Sequence, residues 1–190
     1  MKENKIEYLL KNVLQDKNRR GDSFNWANWM SQLTITTCQF CVEQHGKIFA
    51  ISILENKKEV EAHPNCKCIY VPMRTKTVGT VTAMGDNGAD FQLFYHNRLP
   101  LYYVNKKTAY AVGWKKNYRQ LGEVLPGKMI GGDVYENYDL KLPFASGRVW
   151  YEADINYDGG KRNQQRILYS NDGLIFVTYA HYQTFYEIIQ

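Results

Sequence analysis

Between residues 148 and 181 this chain gathers a carboxylate, two guanidiniums and an imidazole that a single sheet face can present. In RVWYEADINY, Arg148, Trp150, Glu152, Asp154 and Asn156 alternate with Val149, Tyr151, Ala153 and Ile155, the period of a strand with two unlike faces. Arg162 and Arg166 follow in strands that a meander places beside it, and His181 lies near the end of the next strand. Glu can take a proton, His can give one, and the cations can stabilise charge building on phosphorus. That is the equipment of metal-free phosphoryl transfer. A surface network of ion pairs would show the same spacing, since such pairs are common on sheets and weak. Spacing alone leaves both readings open.

The elements that must hold these side chains read as follows. Asp90–Leu99 and Asn105–Val112 are predicted helices, the second with Asn105 as its cap and Lys106 in its first turn. Turns are expected at 131–133, 137–141, 158–160 and 171–173. Strands fill 148–157, 166–170 and 174–179, and a last one begins near Thr184. Helices followed by an antiparallel meander make an α+β fold. Upstream, Ile6, Leu9, Leu10, Val13 and Leu14 mark an amphipathic helix over 5–17. Asp22 or Ser23 caps an expected second helix with Trp26, Trp29, Met30 and Leu33 on one face. Composition turns to Thr, Gly and small residues after Met73, which places a linker at 76–90 between a first region, 1–75, and a second, 91–190.

Apolar residues at 44% and charged ones at 23% describe a folded globular chain rather than a disordered one. No apolar run nears the roughly 20 residues of a membrane span, and Glu3, Glu7 and Asp16 interrupt any secretory-signal core. Residues 1–80 carry 12 Lys and Arg against 8 Asp and Glu, and residues 81–190 carry 12 against 11. An anion site in the second region must therefore come from local clustering.

GRVWYEADINY (147–157), RNQQRILYSND (162–172) and HYQTF (181–185), with AYAVGW, LPGK, IGGD and KLP in the same order over 109–143, resemble the barnase-like family of small bacterial ribonucleases. The resemblance covers residues 93–190 and runs without a gap from Trp114 to His181. It implies that fold, and it implies cleavage of single-stranded RNA without a cofactor. Glu152 would be the general base on the ribose 2′-OH and His181 the general acid at the leaving 5′-oxygen. Lys106, Arg162 and Arg166 would hold the scissile phosphate. DNA, which lacks the 2′-OH nucleophile, could bind but not be cut. Guanine would be read by the loop Glu136–Asp139, with Asn137, Tyr138 and Asp139 as substrate-binding residues and Tyr182 lining the groove. Asp139 is one methylene shorter than the family's Glu, Tyr138 replaces an Arg, and Ala180 stands where the family has an Asp before the catalytic His. Loss of that carboxylate bears on the pH optimum. Asp154 reads as structural, pairing with Arg162 or Arg166. Arg148 and Asp172 match a pair that the family buries, and Asp133 reads as a turn or cap carboxylate.

All four cysteines lie at positions 38–68, a local device rather than a secreted disulfide scaffold. Cys38, Cys41, Cys66 and Cys68, with His63 as an alternative ligand, are the right types for a structural Zn²⁺; a reduced or disulfide-linked hairpin is the other reading. Between the two Cys turns, IFAISIL reads as a hairpin-like segment. CQFC, GKIF and HPNCKC, within residues 23–75, resemble the end of phage head-morphogenesis (minor head protein) domains. Together the two resemblances imply a prophage-type polymorphic toxin, secreted or delivered by a phage particle into a target cell's cytoplasm. They also imply RNA as substrate, an acidic barstar-like immunity protein, and phage head proteins as further partners. A binding module on the same fold, without turnover, is the competing class.

Overall fold

The computed structural model describes residues 25–31, 33, 36–56 and 68–190. The helix expected over 5–17, the cap at Asp22 or Ser23, and the candidate ligands His63 and Cys66 lie outside the described residues. The chain divides into two units, one of residues 1–74 with 138–144, the other of 75–137 with 145–190.

In the first unit a three-stranded antiparallel sheet is built from β1 (Trp26–Met30), β2 (Ile48–Ala50) and β3 (Ile69–Pro72), in the order β2-β1-β3. Residues 26–30 are thus a strand, not the expected helix. Ala27 is fully buried and Trp29 nearly so, while their neighbours are less buried. The alternation and the two Trp residues fit a pleated, half-buried surface better than a helical stripe. IFAISIL also departs from expectation, since β2 passes directly into helix α2 (Ile51–Asn56) instead of folding back as a hairpin. Helix α1 (Gln39–Gln44) is capped by Cys38, whose sulfur accepts from the Cys41 amide at 3.4 Å.

The second unit is a seven-stranded sheet. Its strands are β4 (Thr75–Thr77), β5 (Tyr103–Val104), β6 (Met129–Tyr135), β7 (Trp150–Asp154), β8 (Arg166–Ser170), β9 (Ile175–Thr178) and β10 (Tyr186–Ile189). They lie in the order β4-β10-β9-β8-β7-β6-β5. The centre is antiparallel, and the two edge pairings, β4 with β10 and β5 with β6, are parallel. Helices α3 (Ala89–His96), α4 (Lys106–Ala111) and α5 (Leu121–Val124) precede the central meander. This is the expected α+β arrangement. Ala89 and Leu93 of α3 pack on Ala153, Ile155, Ile167, Val177 and Ile188. Each large apolar side chain so buried contributes roughly 1.5–3 kcal/mol.

The stretch 76–90 is not a linker. β4 adds the edge strand beside β10, and the Val78 amide donates to Ile189 O at 2.7 Å. Asp90, fully buried, accepts from the amides of Gly79 (2.8 Å) and Val81 (3.0 Å) and from the Thr82 hydroxyl (2.8 Å). Thr-Lys-Thr-Val is β-branched enough to pair, and one carboxylate then absorbs the backbone donors of the turn that follows.

Candidate active site

β7 and β8 set the frame. Their register places Asp154 opposite Arg166 and Glu152 opposite Leu168, with Trp150, Glu152 and Asp154 on the face turned away from Ala153 and the α3 core. Lys106 reaches the same face from the start of α4. Asn105 caps that helix by accepting from the Thr108 amide at 2.8 Å. The Lys106 amide itself donates to both oxygens of Asp133, at 3.2 and 3.0 Å. Asp133 sits just past a register shift between Gly131 and Asp133, where Gly132 has φ +87°. A bulge re-aims a strand side chain; here it delivers the carboxylate that fixes the base of Lys106.

Glu152 is the centre of the cluster. Lys106 Nζ donates to its Oε1 at 2.6 Å, and the Tyr182 hydroxyl donates to its Oε2 in a short hydrogen bond. Burial pushes the carboxyl's pKa up. The donors Lys106 and Tyr182 and the nearby Arg166 charge outweigh it, so the pKa lies below the ordinary carboxylate value. Glu152 is thus held ionised, the form a base requires. Tyr182 is raised, first by burial and then by its bond to Glu152, so its proton stays on the phenol.

Asp154, 2% exposed, takes Arg162 Nε at 2.6 Å and Arg162 Nη2 at 2.7 Å. Arg166 Nε lies 2.9 Å from its Oδ1 without hydrogen-bond alignment, a charge contact rather than a bond. Asp154 therefore pairs with both guanidiniums where one was expected. Burial lowers the Arg162 pKa, but Asp154 and Glu152 raise it more, so it stays charged. Arg162 belongs to the loop between β7 and β8 rather than to a strand, and its guanidinium lies 5.9 Å from the centre of the Trp114 ring. Arg166 opens β8, its Nη1 donating to the carbonyls of Asn163 (2.8 Å) and Gln165 (2.7 Å).

His181 is exposed and lies in the turn after β9 rather than in a strand. His181 and Tyr182 both have left-handed backbones, φ 46° and 66°. Such conformations cost non-glycine residues on the order of 1–3 kcal/mol and cluster at functional sites. The turn is tied down by the His181 amide donating to Gln164 O at 3.1 Å and the Tyr182 amide donating to Thr178 Oγ1 at 3.0 Å. The His181 ring stands edge-on to Tyr182 at 4.7 Å, and Tyr182 stacks on Tyr135 at 5.1 Å. Glu152, Lys106, Tyr182, Arg162 and Arg166 are thus linked in one network, and His181 joins it through Tyr182.

The expected base-reading loop is described in two parts. Asn137, 7% exposed, has φ 47°. Tyr138 and Asp139 fall in the stretch grouped with the first unit, where Tyr138 is 88% exposed and Asp139 pairs with Lys141 at 3.2 Å. Arg148 and Asp172 do pair, at 2.7–3.0 Å, but Asp172 remains 44% exposed, so the pair is not buried as expected. Among the candidate metal ligands, Cys38, Cys41 and Cys68 cluster around Trp29, and Cys38 and Cys68 carry free thiols. Among the described residues no group of three His, Cys, Asp or Glu side chains is placed to hold a metal ion.

Several positioning residues escaped the sequence reading: Asn163 and Gln164, which hold Arg166 and the His181 turn, and Thr178, Tyr135 and Trp114. Only Asn163, a turn former beside Arg162, left a signal.

Known proteins match the part of the chain that carries this cluster. A sequence model of the ribonuclease family matches residues 92–189, just over half of the chain. The chain is 52% identical over 103 residues to a ribonuclease of Heyndrickxia coagulans, covering 54% of this chain and 94% of that protein. The same identity over the same length relates it to ribonucleases of Bacillus intermedius and Bacillus pumilus, of which it spans 63%. With Glu152, Lys106, Arg162, Arg166 and His181 all inside the matched span, the chain belongs to the ribonuclease family, in its barnase-like branch.

Proposed function

We propose that this ribonuclease cleaves single-stranded RNA on the 3′ side of guanine by metal-free transphosphorylation. The observation that carries the reading is the Glu152 carboxylate, kept ionised by Lys106 and Tyr182 beside the buried Arg166 and the half-buried Arg162. Glu152 takes the 2′-OH proton as the 2′-oxygen forms its bond to phosphorus. His181 gives a proton to the 5′-oxygen as the P–O5′ bond breaks, leaving a 2′,3′-cyclic phosphate and a free 5′-OH. Lys106, Arg162 and Arg166 stabilise the extra negative charge of the crowded phosphorus. Later hydrolysis of the ring runs the two proton transfers in reverse. Guanine is read by Asn137, Tyr138 and Asp139, with Tyr182 lining the groove.

In biological terms the enzyme acts as a prophage-type toxin on a phage-head-derived first region, delivered by secretion or by a phage particle and restrained by an acidic immunity protein. The support for this is the motif resemblance over 23–75 and the cationic phosphate site. Cys38, Cys41, Cys66 and Cys68, or His63 in place of one of them, would hold a structural Zn²⁺ if the first region binds a metal, a reduced or disulfide-linked hairpin being the other reading; metal content of the purified chain tests that separately.

The decisive experiment is cleavage of a guanine-containing RNA in excess EDTA by wild type, Glu152→Ala and His181→Ala. Cyclic-phosphate ends 3′ of G, lost in both variants, are expected. No cleavage by folded wild type would leave an RNA-binding or head-associated module.

A further inference from the structure

Beside Arg162 the surface carries cations that the cluster around Glu152 does not use. Trp114, 3% exposed, supports the Arg162 guanidinium on its ring and is followed at once by the turn Lys115-Lys116-Asn117-Tyr118-Arg119. The Tyr118 and Arg119 amides donate back to Lys115 O at 3.0 and 2.9 Å, and Asn117 takes φ 72°. The turn is therefore a defined hairpin, closed by a bridge between Lys115 and Arg119. All five of its side chains are exposed, and Tyr118 is 90% exposed. Glu123 meets Arg119 only at 3.8 Å, with both side chains more than half in solvent.

A second loop, packed on the start of the helix that follows this turn, carries a further cation. Gly159 packs so closely on Gly122, at the start of α5, that a Cβ on Gly122 would stand 2.5 Å from Gly159 O. The Tyr157 hydroxyl donates to Gly160 O at 2.8 Å, and Trp114, Leu121 and Tyr157 share one buried cluster. The exposed Lys161 rises from this braced loop, next to Arg162. Asp158, the acid of the loop, accepts from the Gly160 amide at 3.0 Å.

We infer that Lys115, Lys116, Arg119 and Lys161 form a second anion site, a shelf that holds the RNA phosphates flanking the scissile one, with Tyr118 as a stacking platform for an adjoining base. The inference rests on the RNA-cleaving function proposed above. A cationic track with an interleaved exposed aromatic is how single-stranded nucleic acid is held without sequence preference. An RNA strand, rather than an acidic protein, is the favoured occupant because the shelf is continuous with Arg162: a polyanion seated there extends onto it.

The test compares kcat/KM on a long single-stranded RNA with that on the dinucleotide guanylyl-3′,5′-adenosine, across a salt series. For Lys115→Gln/Lys116→Gln/Arg119→Gln the dinucleotide value should be unchanged, while the long-RNA value falls roughly tenfold at low salt. Its log–log salt slope should flatten by about 2, three lost contacts at about 0.7 each. Tyr118→Ala should lower the long-RNA value roughly fivefold without changing the slope. Lys115→Arg/Lys116→Arg should behave as wild type. An unchanged ratio and slope in the triple variant would overturn the shelf, and so would an unchanged ratio accompanied by weaker inhibition by an acidic protein. Failure of wild type on the dinucleotide would instead strike the cleavage reading.

Discussion

Glu152 and Asp154 stand two residues apart on one face of β7, about 7 Å along the strand, yet their surroundings differ in kind. Asp154 is 2% exposed and meets two guanidiniums, Arg162 through two hydrogen bonds and Arg166 through charge. Glu152, its side chain 12% exposed, meets one ammonium and one phenol. Guanidiniums do not give up a proton and bind carboxylates in a fixed fork, so Asp154 is locked as a counter-charge that orients two cations. A lysine on a flexible stem, a third exposed here, is a looser partner that a phosphate can draw away. The contrast teaches that the role of a carboxylate on this sheet follows from which donors surround it, not from its own type.

Removing each carboxylate without changing its shape separates the two regions. Glu152→Gln should lose the general-base contribution, about 10²–10⁴ in kcat, with only a modest fall in melting temperature because Lys106 can turn to solvent. Asp154→Asn should show the opposite emphasis. Two guanidiniums, one of them 5% exposed, lose their counter-charge, and breaking such a buried network costs roughly 3–5 kcal/mol in stability. Activity falls as well, since Arg162 and Arg166 lose their orientation. Thermal denaturation and kcat measured on both variants decide it. Equal destabilisation of the two would erase the distinction.

The sequence makes this strand face far more legible than the distant contacts that support it. Glu152, Asp154 and Arg166 stand out because strict alternation over 148–157 fixes a face and the turn at 158–160 fixes the neighbour. Asn105 announces α4, and with it the height at which Lys106 enters. What stayed hidden depends on contacts distant along the chain. Asp133 reads as a turn or cap carboxylate, but only the bulge in β6 decides which amide it meets, that of Lys106, 27 residues away in sequence. Residues 76–90 look like a linker because their small, polar composition has no periodicity. They become ordered only through β10, more than a hundred residues later, and through Asp90. Residues 26–30 failed for a different reason: five residues with apolar side chains at both helical and strand spacing cannot be told apart by period, and pairing with β2 and β3 decides.

The smallest expected effect lies with the phenol, and it separates the environment of Glu152 from mere proximity of charge. Among the donors holding Glu152, Lys106 ranks first and the Tyr182 hydroxyl second; together with Arg166 they bring the pKa below the ordinary value of 4.5 although burial pushes the other way. Because the folded value is depressed, this carboxylate adds stability above pH about 4.5 and loses it as pH falls through the folded value. The acid limb of kcat/KM, which reports the essential base of the free enzyme, should accordingly lie below pH about 4.5 in wild type. Tyr182→Phe deletes one donor and leaves Lys106 and Arg166 in place. The limb should move upward, while kcat/KM at pH 7, where the base is still ionised, drops only severalfold. Stability should fall at pH 7, and the deficit should shrink at acid pH as Glu152 takes up its proton in wild type and variant alike. A limb that stays where it was, with the same loss at both pH values, would make Tyr182 a packing residue stacked on Tyr135 and nothing more. Lys106 would then be the principal donor that sets Glu152 apart from Asp154, whose partners are Arg162 and Arg166.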